Sequence, residues 1–209
     1  QKKKKKISLI QNKALELSMF LSIPASVALV IGSEQIISAL FGYGSFTDKS
    51  VLNSANALYY FGLGLPAFAL IKVFSTFFFA NHDTKTPFYI SLVSVLLNIL
   101  ISVYFFKDIG FIIIPIATTI SSWFNSSMLF IYLKNNNLFE FNKTFFKQFV
   151  KIIFASIMMG IFFQYLILLF ENQLSYTYFF KFAYLLLCVL FTIFFYLALS
   201  YFIKAFNYQ

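Results

Sequence analysis

The chain contains no arginine, one cysteine and one histidine, and only seven acidic residues among its 209. The lone Cys188 excludes a disulfide framework, and scattered acids with one histidine do not provide the clustered ligands of a metal site. The sequence has no paired carboxylates on one helix face, no HExxH, no GxSxG and no glycine-rich phosphate loop. We therefore expect no catalytic residues, no metal and no cofactor.

Apolar residues, in contrast, are abundant and arranged in long blocks. The chain is 60% hydrophobic and 22% aromatic but only 11% charged, whereas soluble domains carry about a quarter charged residues. Six blocks approach or exceed the roughly 20 residues that a membrane-spanning helix needs. They predict an all-α polytopic membrane helix bundle with six transmembrane helices, at about 14–41, 55–80, 87–106, 110–133, 149–170 and 178–203.

The lysines predict how these helices are oriented. If the first residues are cytoplasmic, twelve of the sixteen lysines fall on the cytoplasmic side, and Lys49, Lys107 and Lys181 fall on the other. This asymmetry is what the positive-inside rule describes, so it accounts for the net charge of +9 through topology and lipid contact, without nucleic acid. Residues 134–148 carry lysines and phenylalanines; they are expected to form a cytoplasmic amphipathic linker or a loop with aromatic anchors.

Three polar residues inside the spans are candidates for a cavity. Lys72 lies well inside the second span, where a cation usually faces protein or water, although its long stem also allows it to reach the interface. Asn98 and Asn125 occupy the third and fourth spans, where amides either bond neighbouring helices or bind substrate. We take Lys72, Asn98 and Asn125 as the candidate substrate or cavity residues.

Prolines inside the spans are candidate hinges. Pro24, Pro66 and Pro115 each lack the N–H that a helix needs, which permits a kink. Gly62 and Gly64 precede Pro66, so the second helix is expected to be softest there. Close packing alone is the competing explanation for each of these residues, because membrane helices often carry proline and glycine.

Several segments resemble the MviN/MurJ family of lipid II flippases. The second span carries a glycine followed ten residues later by Lys-Val, at Gly62–Val73, and an aromatic run then leads to Asp-Thr-Lys-Thr-Pro within Phe77–Pro87. Upstream, Ile23–Ala25 and Leu40–Thr47 are similar to the family's IPA and LF-x-x-G-x-FT segments. Downstream, Gly110–Leu133 is similar to its G-x-x-G…W-x-N stretch, with the second glycine replaced. The resemblance covers about residues 12–133.

The loop motif has a physical interpretation beside the family one. Asp83, Thr84, Lys85, Thr86 and Pro87 connect two spans, and Pro87 is tolerated in the first turn of a helix that Thr86 can cap. Asp83 can turn the chain through its own backbone, and Lys85 adds charge on the inner side. The motif therefore either shapes the loop or meets the substrate.

The resemblance also implies a larger transporter of fourteen helices and two lobes, in the MOP exporter superfamily. It implies that this chain is the C-terminal portion and works with the remaining N-terminal helices. Residues 1–133 would complete the second lobe, and residues 149–209 would form two additional helices with a groove for a polyprenyl tail.

The activity implied is flipping of undecaprenyl-linked peptidoglycan precursor across the bacterial inner membrane, by alternating access coupled to the membrane potential. The chain begins at Gln1, which agrees with a fragment or a split-gene product. Two alternatives are another exporter of the superfamily, for polysaccharide lipids or drugs, and a non-transporting membrane scaffold.

Overall fold

The computed structural model describes residues 2–205, with side chains from residue 6 onward except that of Lys143. The described chain is helical throughout and contains no strand, which confirms the predicted all-α class. The predicted C-terminal region extends to 209, and its last four residues lie outside the described residues. The helices are α1 (Lys2–Phe41), α2 (Asp48–Phe79), α3 (Lys85–Ile109), α4 (Ile113–Asn135), α5 (Lys143–Leu169), α6 (Glu171–Leu174) and α7 (Lys181–Phe202), with a 3₁₀ turn at Gly110–Ile112.

The six long helices correspond to the six predicted spans. Five helical stretches are long and apolar enough to cross a membrane, and one of them, Lys85–Asn135, is 51 residues long because it contains both α3 and α4. These two helices fold back on each other: Asn98 Nδ2 donates to Thr118 Oγ1 at 3.0 Å, and Asn125 Nδ2 donates to Ser91 Oγ at 3.3 Å. Gly110, with φ of 74°, provides the reversal between them.

Three of the helices begin at least six residues earlier than predicted, and one of them, α5, begins at Lys143 instead of near residue 149. Helix α1 continues into the lysine run and begins at Lys2, although its apolar block begins near residue 14. Helix α2 begins at Asp48, because the Thr47 hydroxyl accepts a hydrogen bond from the Ser50 N–H at 3.3 Å and caps the first turn. Hydropathy marks the part of a helix that lies in lipid, whereas capping residues decide where the helix begins.

The long helices alternate in direction between two ends of the bundle. We call one end the lysine-rich end: it holds the start of α1, the 80–84 loop, the 136–142 segment and the end of α7. There Asn12 Nδ2 donates to the Glu140 carbonyl at 2.9 Å. The opposite end holds residues 42–47, 110–112 and 170–180, where the Tyr176 hydroxyl donates to the Phe46 carbonyl at 2.7 Å.

The 134–148 segment is built into the bundle. Phe139 is 3% exposed and packs against Phe74 and Phe77 of α2. Gln11 of α1 donates to the Leu138 carbonyl at 3.1 Å, so α1 holds the backbone of the segment directly. The segment therefore does not form a separate interfacial helix: its first residues complete α4, and from Lys143 onward it is the first turn of α5.

Helix α5 packs closely against α1 through two glycines. A Cβ on Gly32 would lie 2.6 Å from the Phe163 ring, and a Cβ on Gly160 would lie 2.7 Å from Val27 and 2.9 Å from Ile31. Such distances leave no space for a side chain, as is typical where membrane helices approach closely. These contacts hold α5 against the first helix.

One lysine lies where the sequence did not indicate a buried charge. Lys181 was expected on the far side, near the start of the last predicted span, and it is the first residue of α7 but 0% exposed. Its ammonium donates to the carbonyls of Gly42 at 2.7 Å and Tyr176 at 2.8 Å. It also lies 4.4 Å from the centre of the Tyr43 ring, a cation–π contact. Lys181 thus ties the end of α1 to the start of α7.

Candidate functional site

The proline in α2 leaves a carbonyl that a neighbouring helix satisfies. Pro66 has no N–H, so the Gly62 carbonyl, four residues earlier, loses its helical partner. The Ser26 hydroxyl of α1 donates to that carbonyl at 2.7 Å. Within a membrane an unsatisfied backbone group costs several kcal/mol, so the break depends on this bond from α1.

Helix α4 supplies two more donors to the same turn of α2. The Thr119 hydroxyl donates to the Tyr60 carbonyl at 2.7 Å, and the Trp123 indole N–H donates to the Leu63 carbonyl at 3.1 Å. Gly64 makes this approach possible, since a Cβ there would lie 2.9 Å from Thr119 Oγ1. The soft region predicted for α2 is thus closely packed, with side chains from two helices bonded to its backbone.

Pro24 likewise interrupts the backbone hydrogen bonding of α1, and a side chain of the last helix supplies the missing donor. Pro24 frees the Phe20 carbonyl, and the Tyr196 hydroxyl of α7 donates to it at 2.8 Å. Tyr196 is 5% exposed, so this bond is shielded from the surroundings. Pro115 is different: it is the third residue of α4, where no helical hydrogen bond is lost. The expectation that all three prolines delete a helical bond was therefore wrong for Pro115.

Lys72 lines an open groove between α1 and α2. The groove has a volume of about 430 Å³, and Ser18 and Ser22 of α1 line it with Lys72. Lys72 is exposed and makes no hydrogen bond or ion pair with any residue that the structure describes. The Ser22 hydroxyl is buried in the groove and likewise has no partner among residues 2–205. The groove therefore offers one exposed cation, and the Ser22 hydroxyl lies beneath its surface.

A second, almost entirely apolar groove lies beside it. It has a volume of about 490 Å³ and runs between α1, α5 and α7, with Pro24, Phe163 and Tyr196 among its lining residues. The two grooves meet on α1, because Leu21 and Ala25 line both of them. A ligand lying across α1 would thus meet a cation on one side and hydrocarbon on the other.

Asn98 and Asn125 lie away from both grooves, between α3 and α4. Asn98 donates to Thr118 and to Ser121 Oγ at 3.3 Å, and Asn125 donates to Ser91. Asn125 is 8% exposed, and its Oδ1 has no partner among the described residues. Of the three polar candidates, only Lys72 lines a groove; the two asparagines join the helices of a hairpin.

The 83–87 motif forms a helix cap at the lysine-rich end. The Asp83 carboxylate accepts the Thr86 N–H at 3.0 Å and the Lys85 N–H at 3.1 Å, while His82, with φ of 59°, ends α2. The cap is therefore Asp83 and not Thr86, because the aspartate side chain reaches two N–H groups of the first turn at once. Pro87 is buried within that turn.

Replacing Asp83 by alanine should lower the free energy of unfolding by about 1 kcal/mol, the usual effect of losing a helix cap. The Thr86 and Lys85 N–H groups and the Lys85 charge lower the pKa of Asp83. The stabilisation is therefore present above the ordinary aspartate pKa and fades as the pH falls through the lowered one. Thermal unfolding in detergent across pH measures both effects. Asp83→Asn retains an acceptor and should lose less; equal losses in the two variants would contradict the cap.

Sequence reasoning missed the two residues that bond the carbonyls freed by the prolines, and the two that bond α2 beside Pro66. Ser26 and Tyr196 have the first role and Thr119 and Trp123 the second; none carries a motif for it, and each lies on a different helix from the carbonyl it bonds. The prolines were the available signal, since a proline inside a membrane helix requires a donor from elsewhere. Which helix supplies that donor depends on the packing.

The bundle of long apolar helices defines a multi-pass membrane protein. A sequence model of the family described as "Lipid II flippase MurJ" matches residues 1–199. The chain belongs to this MurJ family, which confirms the resemblance seen in the motifs, and the relatives described below carry the names of flippases and not of enzymes.

Individual relatives agree with the family match. The probable lipid II flippase MurJ of Rickettsia prowazekii is 37% identical over 123 residues, which are 59% of this chain and 24% of that protein. That of Buchnera aphidicola subsp. Baizongia pistaciae is 32% identical over 169 residues, 81% of this chain and 32% of that protein. This chain therefore spans about a quarter to a third of the length of these relatives.

A solved structure is similar over nearly the whole chain. The lipid II flippase MurJ in its inward closed conformation superposes with a TM-score of 0.75 at 27% sequence identity. The match covers 96% of this chain and 40% of that one. The helical arrangement described above is thus that of one part of a larger flippase structure.

Proposed function

We propose that this chain is part of a lipid II flippase, which moves undecaprenyl-linked peptidoglycan precursor across the bacterial inner membrane by alternating access. Family membership supports this interpretation over another exporter or a membrane scaffold. Because the chain spans only part of its relatives, we propose that it works together with further helices on its N-terminal side. The lysine asymmetry supports a cytoplasmic lysine-rich end.

The observation that carries the proposal is the contact between the two grooves. An undecaprenyl-linked precursor joins an anionic pyrophosphate to a long hydrocarbon chain. Lys72 suits the anionic part, and the apolar groove beside Pro24 and Tyr196 suits the hydrocarbon. Leu21 and Ala25 of α1 line both grooves, so one molecule lying across α1 at these two residues can contact both.

The proline breaks supply points where the helices can bend during alternating access. In this proposal Pro24 and Pro66 are hinges, and Gly62 and Gly64 let neighbouring helices supply the missing bonds. Pro115 is left out, because it lies in a first turn.

The remaining candidates have supporting roles. Asn98 and Asn125 keep the α3–α4 hairpin as one unit, and the 83–87 loop sets the connection between α2 and α3. Only Lys72 is proposed to meet the substrate directly.

Replacing Lys72 by methionine should remove the preference of the protein for a charged lipid. The probes are undecaprenyl pyrophosphate and the neutral undecaprenol, with the purified chain in nanodiscs. The unaltered protein should bind the pyrophosphate at least about tenfold more tightly, the value of one charge-assisted contact. Lys72→Met should bind both lipids alike. Lys107→Met, an exposed lysine at the opposite end, is the matched control and should keep the preference.

Transport itself is tested with a chimera in which this chain replaces the matching segment of the Rickettsia prowazekii relative. The unaltered chimera should support growth of a bacterium depleted of its own flippase, and the Lys72→Met chimera should not. Normal growth with Lys72→Met, or a lipid preference that survives the substitution, would exclude Lys72 as a headgroup contact.

A further inference from the structure

The carbonyl that Pro24 frees in α1 receives its hydrogen bond from a more distant part of the chain than the carbonyl that Pro66 frees in α2. Ser26, Thr119 and Trp123 bond α2 from helices that pack along it, whereas the Phe20 carbonyl depends on Tyr196, 176 positions further along the chain. Phe20 packs against the Tyr196 ring at 5.1 Å between centroids. The backbone of α1 beside Pro24 is therefore bonded directly to α7.

The same residues line the apolar groove. Phe20, Pro24 and Tyr196 all lie on its wall, so any chain in the groove touches both the break and the side chain that closes it. Leu21 and Ala25, within one turn of Pro24, continue into the Lys72 groove. A change in the bend of α1 would thus move the shared wall of both grooves.

A second acceptor lies within the same helix. Ser200 is one turn beyond Tyr196 on the same face of α7, since residues four apart are neighbours on a helix. It is 3% exposed, and its hydroxyl lies close to the Tyr196 hydroxyl and has no other partner among the described residues. The Tyr196 hydroxyl therefore has a second hydrogen-bond partner beside it when the bond to the Phe20 carbonyl breaks.

We propose that Tyr196 is a positioning residue that couples occupancy of the apolar groove to the bend of α1, by exchanging its hydroxyl between the Phe20 carbonyl and Ser200. With the Phe20 bond formed, α1 has the conformation seen here; with the hydroxyl on Ser200, α1 is free to bend at Pro24. A hydrocarbon chain that favours one of the two states shifts the equilibrium between them. The identity of that chain as a polyprenyl tail rests on the proposed function, whereas the hydroxyl exchange does not.

The bond is tested by a double-mutant cycle read out on α1 itself. Spin labels at the exposed positions Leu9 and Leu40, with Cys188 replaced by alanine, report the bend through their separation. Tyr196→Phe keeps the ring but removes the donor, and it should broaden the distance distribution about twofold, because the freed carbonyl loosens the break. In a Pro24→Ala background the Phe20 carbonyl regains a helical N–H, so the same substitution should change nothing.

The controls distinguish the effect of the Tyr196 hydrogen bond from the effect of side-chain packing. Tyr201→Phe, on an exposed tyrosine of the same helix, should leave the distribution unchanged. An unaltered distribution in Tyr196→Phe would overturn the proposal. So would equal broadening with and without Pro24, which would show that the hydroxyl acts through packing alone.

Coupling to the groove is tested by adding undecaprenyl phosphate to the labelled protein in nanodiscs. The lipid should shift the label separation in the unaltered protein, and Ser200→Ala and Tyr196→Phe should each at least halve that shift. An equal shift in all three proteins would overturn the coupling. Failure of Lys72→Met to change headgroup preference would count against the proposed function only, because this readout does not depend on Lys72.

Discussion

Replacing Lys181 by methionine should lower the free energy of unfolding by about 3 kcal/mol, one of the largest effects expected in this chain. The substitution leaves the buried carbonyls of Gly42 and Tyr176 without donors, at about 1–3 kcal/mol each. It also removes the contact with the Tyr43 ring, although methionine avoids the cost of burying a charge. Thermal unfolding in detergent, followed by intrinsic fluorescence, measures the loss.

The matched control is Lys49→Met, on an exposed lysine at the same end of the bundle. It should change the free energy of unfolding by less than about 0.5 kcal/mol, as surface substitutions usually do. If the two variants unfold alike, Lys181 contributes charge to that end of the molecule and does not join α1 to α7.

The predicted architecture follows from features that a single sequence carries well. Blocks of about 20 apolar residues predicted six long helices, and the structure has them. Hydropathy works here because lipid requires each spanning segment to satisfy its own backbone. The helix starts were less accurate, since Thr47 and Asp83 act through caps outside the apolar blocks.

The candidate site could be predicted only in part, because the type of a residue does not indicate which residues from other helices it contacts. Lys72 and Asn98 are both polar residues inside spans, yet one lines a groove and the other bonds Thr118 across a hairpin. Pro24 and Pro115 both interrupt apolar blocks, but only Pro24 lies more than a turn inside its helix. These differences arise from how helices far apart in sequence pack.

Lys181 shows the same limit for charge counting. The order of the predicted spans placed it at the end opposite the lysine-rich one, where α7 begins; the orientation itself stays a prediction. The positive-inside rule does not report burial, and the three contacts of the ammonium come from Gly42, Tyr43 and Tyr176. A lysine at a helix start is common in protein sequences. Lys181 is buried because the segment that follows α1 places Gly42 and Tyr43 against it.

Replacing Gly160 by leucine should separate α5 from α1 and lower the free energy of unfolding by about 3 kcal/mol, the upper part of the range for overpacking. A Cβ at this position would already lie 2.7 Å from Val27, on a β-branched side chain that has little freedom to move. Since α5 and α1 both line the apolar groove, the separation should also weaken binding of undecaprenol to the purified chain in nanodiscs. Ile161→Leu, on the exposed face of the same helix, is the control and should preserve both stability and binding. A Gly160→Leu protein that unfolds and binds like the control would mean that the close approach of α5 to α1 does not hold the groove together.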